Sequence, residues 1–123
     1  MLNKINKIAV IGTGLIGTGW IIRMLVHNKK VSAFDLNFKQ KAILIKEIKR
    51  SLPFVKKLYK KKLINLKNLS FKTSLLETLK DVDFIQECAS ENYKLKTKLM
   101  SDIGKYSKPS AIISSSSSGL LPS

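Results

Sequence analysis

A glycine-rich segment near the amino terminus has the residue types and spacing that bind phosphate groups. Gly12, Gly14 and Gly17 follow the apolar run at residues 8–11, whose length fits a buried parallel strand. The first glycine permits a tight turn, the second lets a pyrophosphate approach the backbone, and the third lets a helix pack closely on the strand. The N–H groups at the start of that helix favour the same anionic ligand. The loop, completed by Thr13, Leu15 and Ile16, therefore predicts a pyrophosphate site.

An acidic residue follows at the distance that a dinucleotide site requires. A second apolar run at residues 31–34 ends in Asp35, which lies eighteen residues beyond Gly17. At the end of a strand, Asp35 can accept hydrogen bonds from a ribose diol, and it would repel a 2′-phosphate at the same place. The combination of strand, glycine loop, helix and acid predicts a dinucleotide site that prefers NAD to NADP.

The elements that must position these residues alternate between strands and helices along the whole chain. This alternation predicts an α/β fold, a Rossmann-type doubly wound parallel sheet with strand order 3-2-1-4-5. We expect strands at residues 7–11, 31–34, 69–71, 83–86 and 111–113, and helices at 14–28, 75–79 and 92–106. The basic segment 39–65 has helical spacing, and Pro53 predicts that it is divided into two helices.

Ligands of open parallel sheets bind outside the carboxyl ends of the strands. In this sequence the segments just past the predicted strand ends are residues 12–17, 35, 87–91 and 114–118, all polar or glycine-rich. We therefore expect these four segments to line a single cofactor crevice.

Length and composition limit the possible classes of protein. The 123 residues are enough for one domain with an ordinary core, and a hydrophobic content of 44% is typical of globular chains. Apolar stretches are too short to span a membrane, so we expect no membrane partner. Cys88 is the only cysteine, which fits a reducing cytoplasm.

The net charge of +15 has three possible interpretations. Twelve basic residues lie between Lys39 and Lys72, with Glu47 as the only acid, and 21 of the 23 basic residues of the chain are lysine. A solvated helix face in a lysine-rich chain is one interpretation, and attraction of a polyanionic molecule such as a coenzyme A thioester is another. The scarcity of arginine and of interleaved aromatic residues disfavours the third, nucleic acid.

Three separated motifs, in the same order, resemble the 3-hydroxyacyl-CoA dehydrogenase superfamily. They are the glycine loop followed by Trp20, the stretch 83–96 with Glu91 and Lys96, and the Ser-Gly-Leu-Leu-Pro-Ser ending at residues 118–123. The tryptophan and the ending are most similar to the L-carnitine dehydrogenase and lambda-crystallin branch. The resemblance covers essentially the whole chain.

The resemblance implies a role for each matching residue. The glycines would hold the pyrophosphate of NAD, and Asp35 the adenosine ribose. Glu91 and Lys96 match a cofactor-contacting acid and lysine, and Ser116 matches a position near the nicotinamide. Ser118 matches the catalytic serine that binds the substrate's hydroxyl or carbonyl oxygen. The implied reaction is the NAD-dependent oxidation of an L-3-hydroxyl of a 3-hydroxy acid or acyl-CoA to a ketone.

The sequence departs from the family in its catalytic base. The family uses a histidine in a His-Pro-x-Asn-Pro stretch beyond the serine motif, and a helical domain that completes the substrate pocket and forms a homodimer. Neither occurs in this sequence, whose only histidine is His27. We therefore expect residues 1–123 to be the NAD-binding half of such an enzyme, incomplete at its carboxyl end and inactive alone. The alternative is a truncated or split-gene product that binds NAD without catalysis.

Overall fold

Strands and helices alternate as the sequence predicts. The computed structural model describes residues 5–59, 64–88 and 93–115. In these residues the elements, in chain order, are β1 Lys7–Ile11, α1 Leu15–Val26, β2 Lys30–Phe34, α2 Gln40–Tyr59, a 3₁₀ turn Leu66–Asn68, β3 Leu69–Lys72, α3 Leu75–Thr78, β4 Phe84–Glu87, α4 Tyr93–Tyr106 and β5 Ile112–Ser115.

The strands form one parallel sheet in the order β3-β2-β1-β4-β5, which confirms the predicted topology. Ile11 at the end of β1 is in register with Phe34 on one side and with Glu87 on the other. The residues that follow these three strand ends therefore meet at one edge of the sheet, where open α/β folds bind ligands.

Alternate residues of the central strand face two separate hydrophobic layers, because successive side chains of a strand point to opposite faces. Ile8 and Val10 pack with residues of α1 and α2, including Ile21 and Leu44. Ala9 and Ile11 belong to the second cluster, whose members also include Phe34, Leu79, Val82, Ile85 and Ile103. The sheet is thus covered on both faces, as a doubly wound fold requires.

The predicted division of the basic segment at Pro53 is wrong. Helix α2 continues through this residue from Gln40 to Tyr59. Leu44 and Ile48 before the proline, and Val55 after it, are buried on one face of the helix, so burial favours a continuous helix despite the lost backbone hydrogen bond.

The fifth strand ends later than the sequence predicts. Ser114 and Ser115 pair with Gln86 and Glu87 of β4, so the first two residues of the serine run belong to β5 instead of following it. Ladder hydrogen bonds to β4 outweigh the weak strand preference of serine. The predicted crevice segment 114–118 therefore begins within the sheet.

Neither a membrane-spanning helix nor a metal cluster is found in the part of the chain that the structure describes. Within residues 5–59, 64–88 and 93–115, each helix is too short or too polar to cross a bilayer. The same residues contain no group of three or more His, Cys, Asp or Glu side chains arranged to hold a metal ion.

Candidate cofactor site

The glycine loop makes a turn that larger residues cannot make. Gly12 has a φ of 98°, a conformation that L-residues with a side chain rarely adopt. A Cβ on Gly17 would lie 1.8 Å from the carbonyl oxygen of Gly12, so α1 packs against the loop at a distance that only glycine permits. The loop thus presses the start of α1 against the end of β1.

The amino terminus of α1 is suited to an anion. Gly14 occupies its N-cap without a side-chain hydrogen bond, and the first turn contains no acidic residue. The positive end of the helix dipole is therefore not neutralised by protein groups of that turn. A Cβ built on Gly14 would meet no atom within 4 Å, so the backbone faces open space there. These features fit a bound pyrophosphate.

Asp35 is held by the loop that it faces. Its Oδ2 accepts hydrogen bonds from the hydroxyl of Thr13 at 3.0 Å and from the Thr13 N–H at 3.4 Å. Its Oδ1 accepts the N–H of Asn37 at 3.0 Å. These contacts orient the carboxylate beside the glycine loop, where the sequence predicts a ribose contact.

A cleft of about 660 Å³ opens between the glycine loop and helix α4. Polar and apolar groups both line it, namely Gly12, Thr13, Gly14, Phe34, Asp35, Leu36, Thr73, Leu75, Cys88, Lys98, Leu99 and Asp102. Its volume lies within the range of small-molecule sites, and its apolar side chains can contact a flat base. The sequence did not predict the contribution of Thr73, Leu75 and α4.

Lys96 takes part in a polar cluster at the ends of β4 and β5, in which Glu87 is buried and Ser115 is exposed. Its Nζ lies 3.0 Å from Oε1 of Glu87 and donates a hydrogen bond of 2.8 Å to the hydroxyl of Ser115. The Ser115 hydroxyl donates in turn to Glu87 Oε1 at 2.7 Å. Sequence reasoning missed Glu87 as a partner of Lys96; the signal was an acidic residue that directly follows the run Phe84-Ile85-Gln86.

Three predicted site residues lie outside the described residues, namely Glu91, Ser116 and Ser118. Of the others, Leu15 begins α1, and the side chain of Ile16 is exposed. His27 follows the end of α1 and is also exposed. Thus the structure brings together the glycine loop and Asp35 on one side of β1, and Lys96 on the other.

The lysines of α2 lie on the outer surface. Lys46, Lys49, Lys56 and Lys57 are exposed, which favours a solvated helix face. A shallow groove beside them combines Phe38, Ala42 and Ile45 with Lys39, Lys41, Lys46 and Lys49. The groove therefore also fits the other interpretation of the charge, in which these lysines attract a polyanionic molecule.

The fold and the cleft together define a dinucleotide-binding domain of Rossmann type. The family described as 3-hydroxyacyl-CoA dehydrogenase, NAD binding domain, matches residues 7–123. The chain belongs to this family, and the cofactor of its domain is NAD.

The sequence of the chain is similar to those of L-carnitine dehydrogenases. The L-carnitine dehydrogenase of Staphylococcus epidermidis is 38% identical over 117 residues, which cover 95% of this chain and 36% of the relative. That of a Pseudomonas species is 38% identical over 122 residues, covering 99% of this chain and 38% of the relative. The chain thus spans well under half the length of these relatives.

Solved structures share the fold. The (S)-3-hydroxybutyryl-CoA dehydrogenase of Ralstonia eutropha has a TM-score of 0.80 and 26% identity, covering 91% of this chain and 41% of that one. The 3-hydroxybutyryl-CoA dehydrogenase of Escherichia coli has a TM-score of 0.78 and 24% identity, covering 91% of this chain and 24% of that one.

Proposed function

We propose that these 123 residues form the NAD-binding half of an NAD-dependent L-3-hydroxy-acid dehydrogenase of the carnitine dehydrogenase type. The observation that supports the proposal is the hydrogen bond from the Thr13 hydroxyl to Asp35, because it holds a carboxylate, which we propose binds the ribose, beside a helix terminus without a side-chain cap. NAD, when bound, supplies the hydride acceptor for oxidation of a 3-hydroxyl.

Each residue of the site has a proposed task toward NAD. The backbone N–H groups of residues 14–17 bind the pyrophosphate, and Asp35 binds the diol of the adenosine ribose. Lys96 contacts the cofactor on the far side of β1, while for Glu91 and Ser116 we propose the roles that the family resemblance implies, a cofactor contact and a position near the nicotinamide. Ser118 holds the oxygen of the substrate.

The substrate class follows from weighing two features. The identity of 38% to L-carnitine dehydrogenases along nearly the whole chain supports a small 3-hydroxy acid. The lysines beside the groove on α2 would suit the phosphates of an acyl-CoA instead. We favour the small 3-hydroxy acid, because lysine is abundant throughout this chain and its presence on α2 is therefore weak evidence.

The competing proposal is NAD binding without catalysis, and the position of His27 favours it for these 123 residues. His27 is the only histidine of the chain and follows the last residue of α1, whereas the glycine loop precedes the first. At 1.5 Å per residue, the helix separates the two by about 18 Å. His27 is therefore too far from the loop to act as the general base there.

Purified protein of these 123 residues tests both proposals. We expect saturable NAD binding by calorimetry, and no NADH formation from L-carnitine or L-3-hydroxybutyryl-CoA, because loss of a general base alone removes about 10²–10⁴-fold of rate. Failure to bind NAD would refute both proposals, because each requires an NAD site. Turnover at about 1–10³ s⁻¹, typical of enzymes, would refute NAD binding without catalysis, and a His27→Ala variant would show whether that histidine is the base.

A further inference from the structure

The cluster of Glu87, Lys96 and Ser115 joins three elements at the sheet edge where ligands bind. Glu87 ends β4, Ser115 ends β5, and Lys96 lies in the first turns of α4. Each pair among them is within hydrogen-bonding distance, at 2.7 to 3.0 Å. The cluster therefore fixes the start of α4 relative to the ends of two strands.

The desolvation of its charged groups makes this cluster unfavourable for stability if its role is only structural. The side chain of Glu87 is fully buried and that of Lys96 is 13% exposed. Moving such charges out of water is strongly unfavourable, and apolar residues of similar size are often as stabilising as a buried ion pair. β4 already buries the neutral polar side chain of Gln86, and a charged acid at position 87 is more costly to bury than a neutral amide, so stability alone does not explain it.

The cluster lies opposite the adenosine side of the cleft. Asp35 follows β2 on one side of β1, whereas Glu87 and Ser115 end strands on the other side. Dinucleotides bind across the point where the strand order reverses, which here lies between β1 and β4. With the adenosine ribose at Asp35, the second half of the dinucleotide falls on the side of β4 and β5.

We propose that Glu87 is a positioning residue that holds the ammonium of Lys96 for the nicotinamide half of the dinucleotide, with Ser115 as the bridge; this inference rests on the proposed function. A free lysine side chain samples many rotamers, and the entropy of that freedom would be lost on binding. Glu87 and Ser115 fix the Lys96 side chain before the ligand binds, so binding does not lose this entropy.

The proposal predicts a selective effect of the Glu87→Gln variant on two ligands. NAD contains the nicotinamide half, whereas ADP consists only of adenine, its ribose and the two phosphates. Because hydrogen bonds to charged groups are stronger than neutral ones, we expect NAD to bind about tenfold more weakly, while ADP affinity changes less than about twofold. Calorimetric titration of both ligands measures this difference.

Three further variants complete the experiment. Glu77→Gln removes the same charge at an exposed position and should alter neither affinity. Ser115→Ala and Lys96→Met should reproduce the selective loss of NAD affinity. Lys96→Met leaves the buried Glu87 carboxylate without its cation, whereas Ser115→Ala keeps the charge pair intact. Ser115→Ala therefore keeps the proposal testable if Glu87→Gln melts below the temperature of the titration.

The outcomes separate this inference from the proposed function. If the unaltered protein binds both ligands and the Glu87, Ser115 and Lys96 variants lose NAD and ADP equally, or lose neither, the positioning role is refuted while the NAD site stands. If the unaltered protein binds neither ligand, the proposed function fails and the positioning role fails with it.

Discussion

Gly14 and Gly17 lie three residues apart, but their surroundings differ. A Cβ at Gly14 would point into open space, whereas one at Gly17 would overlap the carbonyl oxygen of Gly12 at 1.8 Å. The φ of Gly14 is −71°, which alanine adopts without strain. Gly14 is thus required for binding of the cofactor that we propose, and Gly17 is required for the packing of the fold.

We therefore expect different results from two alanine substitutions. Gly14→Ala should leave the melting temperature nearly unchanged and weaken NAD binding by at least about tenfold, because the methyl group occupies the approach to the backbone. Gly17→Ala should lower the stability by about 1–3 kcal/mol, since the helix must move away from the strand. Thermal unfolding with and without NAD measures both. Equal destabilisation by the two substitutions would contradict this distinction.

At the scale of elements, strands and turns were easier to predict than helix continuity. Residues 8–11 and 31–34 are apolar runs ended by a glycine or an acid, and the structure confirms both strands. The break predicted at Pro53 is wrong, because a local rule for proline could not account for the burial of Leu44, Ile48 and Val55. The partners of Lys96 were missed for a similar reason, since Ser115 lies nineteen residues away.

Asp83, just before β4, joins the start of β1 to the segment between α4 and β5, at the edge of the sheet opposite the cleft. Its Oδ2 accepts the N–H groups of Asn6 at 3.0 Å and Lys7 at 3.1 Å, and its Oδ1 accepts a 2.6 Å hydrogen bond from Lys108. The ammonium of Lys108, followed by these two N–H groups, lowers the pKa of Asp83 to about 2. The ionised carboxylate therefore stabilises the folded state.

The sign of the pH dependence follows from that pKa. An unfolded aspartate has a pKa of about 3.9, so this stabilisation is complete above about pH 5 and is lost as the pH falls through the folded-state pKa of about 2. Asp83→Asn should lower the free energy of unfolding at neutral pH by about 1–2 kcal/mol, a value reduced for the partial exposure of the pair, and the difference should be much smaller at about pH 2. Urea unfolding at both pH values measures it. Asp81→Asn, at an exposed position, is the control; an equal effect at both pH values would contradict the assignment.

For the whole molecule, sequence patterns predicted the sheet order and the family, because both follow from short motifs and their order. The predicted roles of the site residues stay predictions. Glu91, Ser116 and Ser118 lie outside the described residues, and the cleft wall formed by Lys98, Leu99 and Asp102 depends on how α4 packs, which spacing along the chain does not reveal.

The central claim is that the cleft beside the glycine loop binds NAD through Asp35. Titration of NAD and NADP into the unaltered protein, Asp35→Ala and the control Asp81→Asn tests it most directly. We predict that the unaltered protein and the control prefer NAD, because the Asp35 carboxylate accepts the ribose hydroxyls and repels a 2′-phosphate. Asp35→Ala should bind NAD more weakly and lose that preference. Tighter binding of NADP than of NAD to the unaltered protein would contradict the claim.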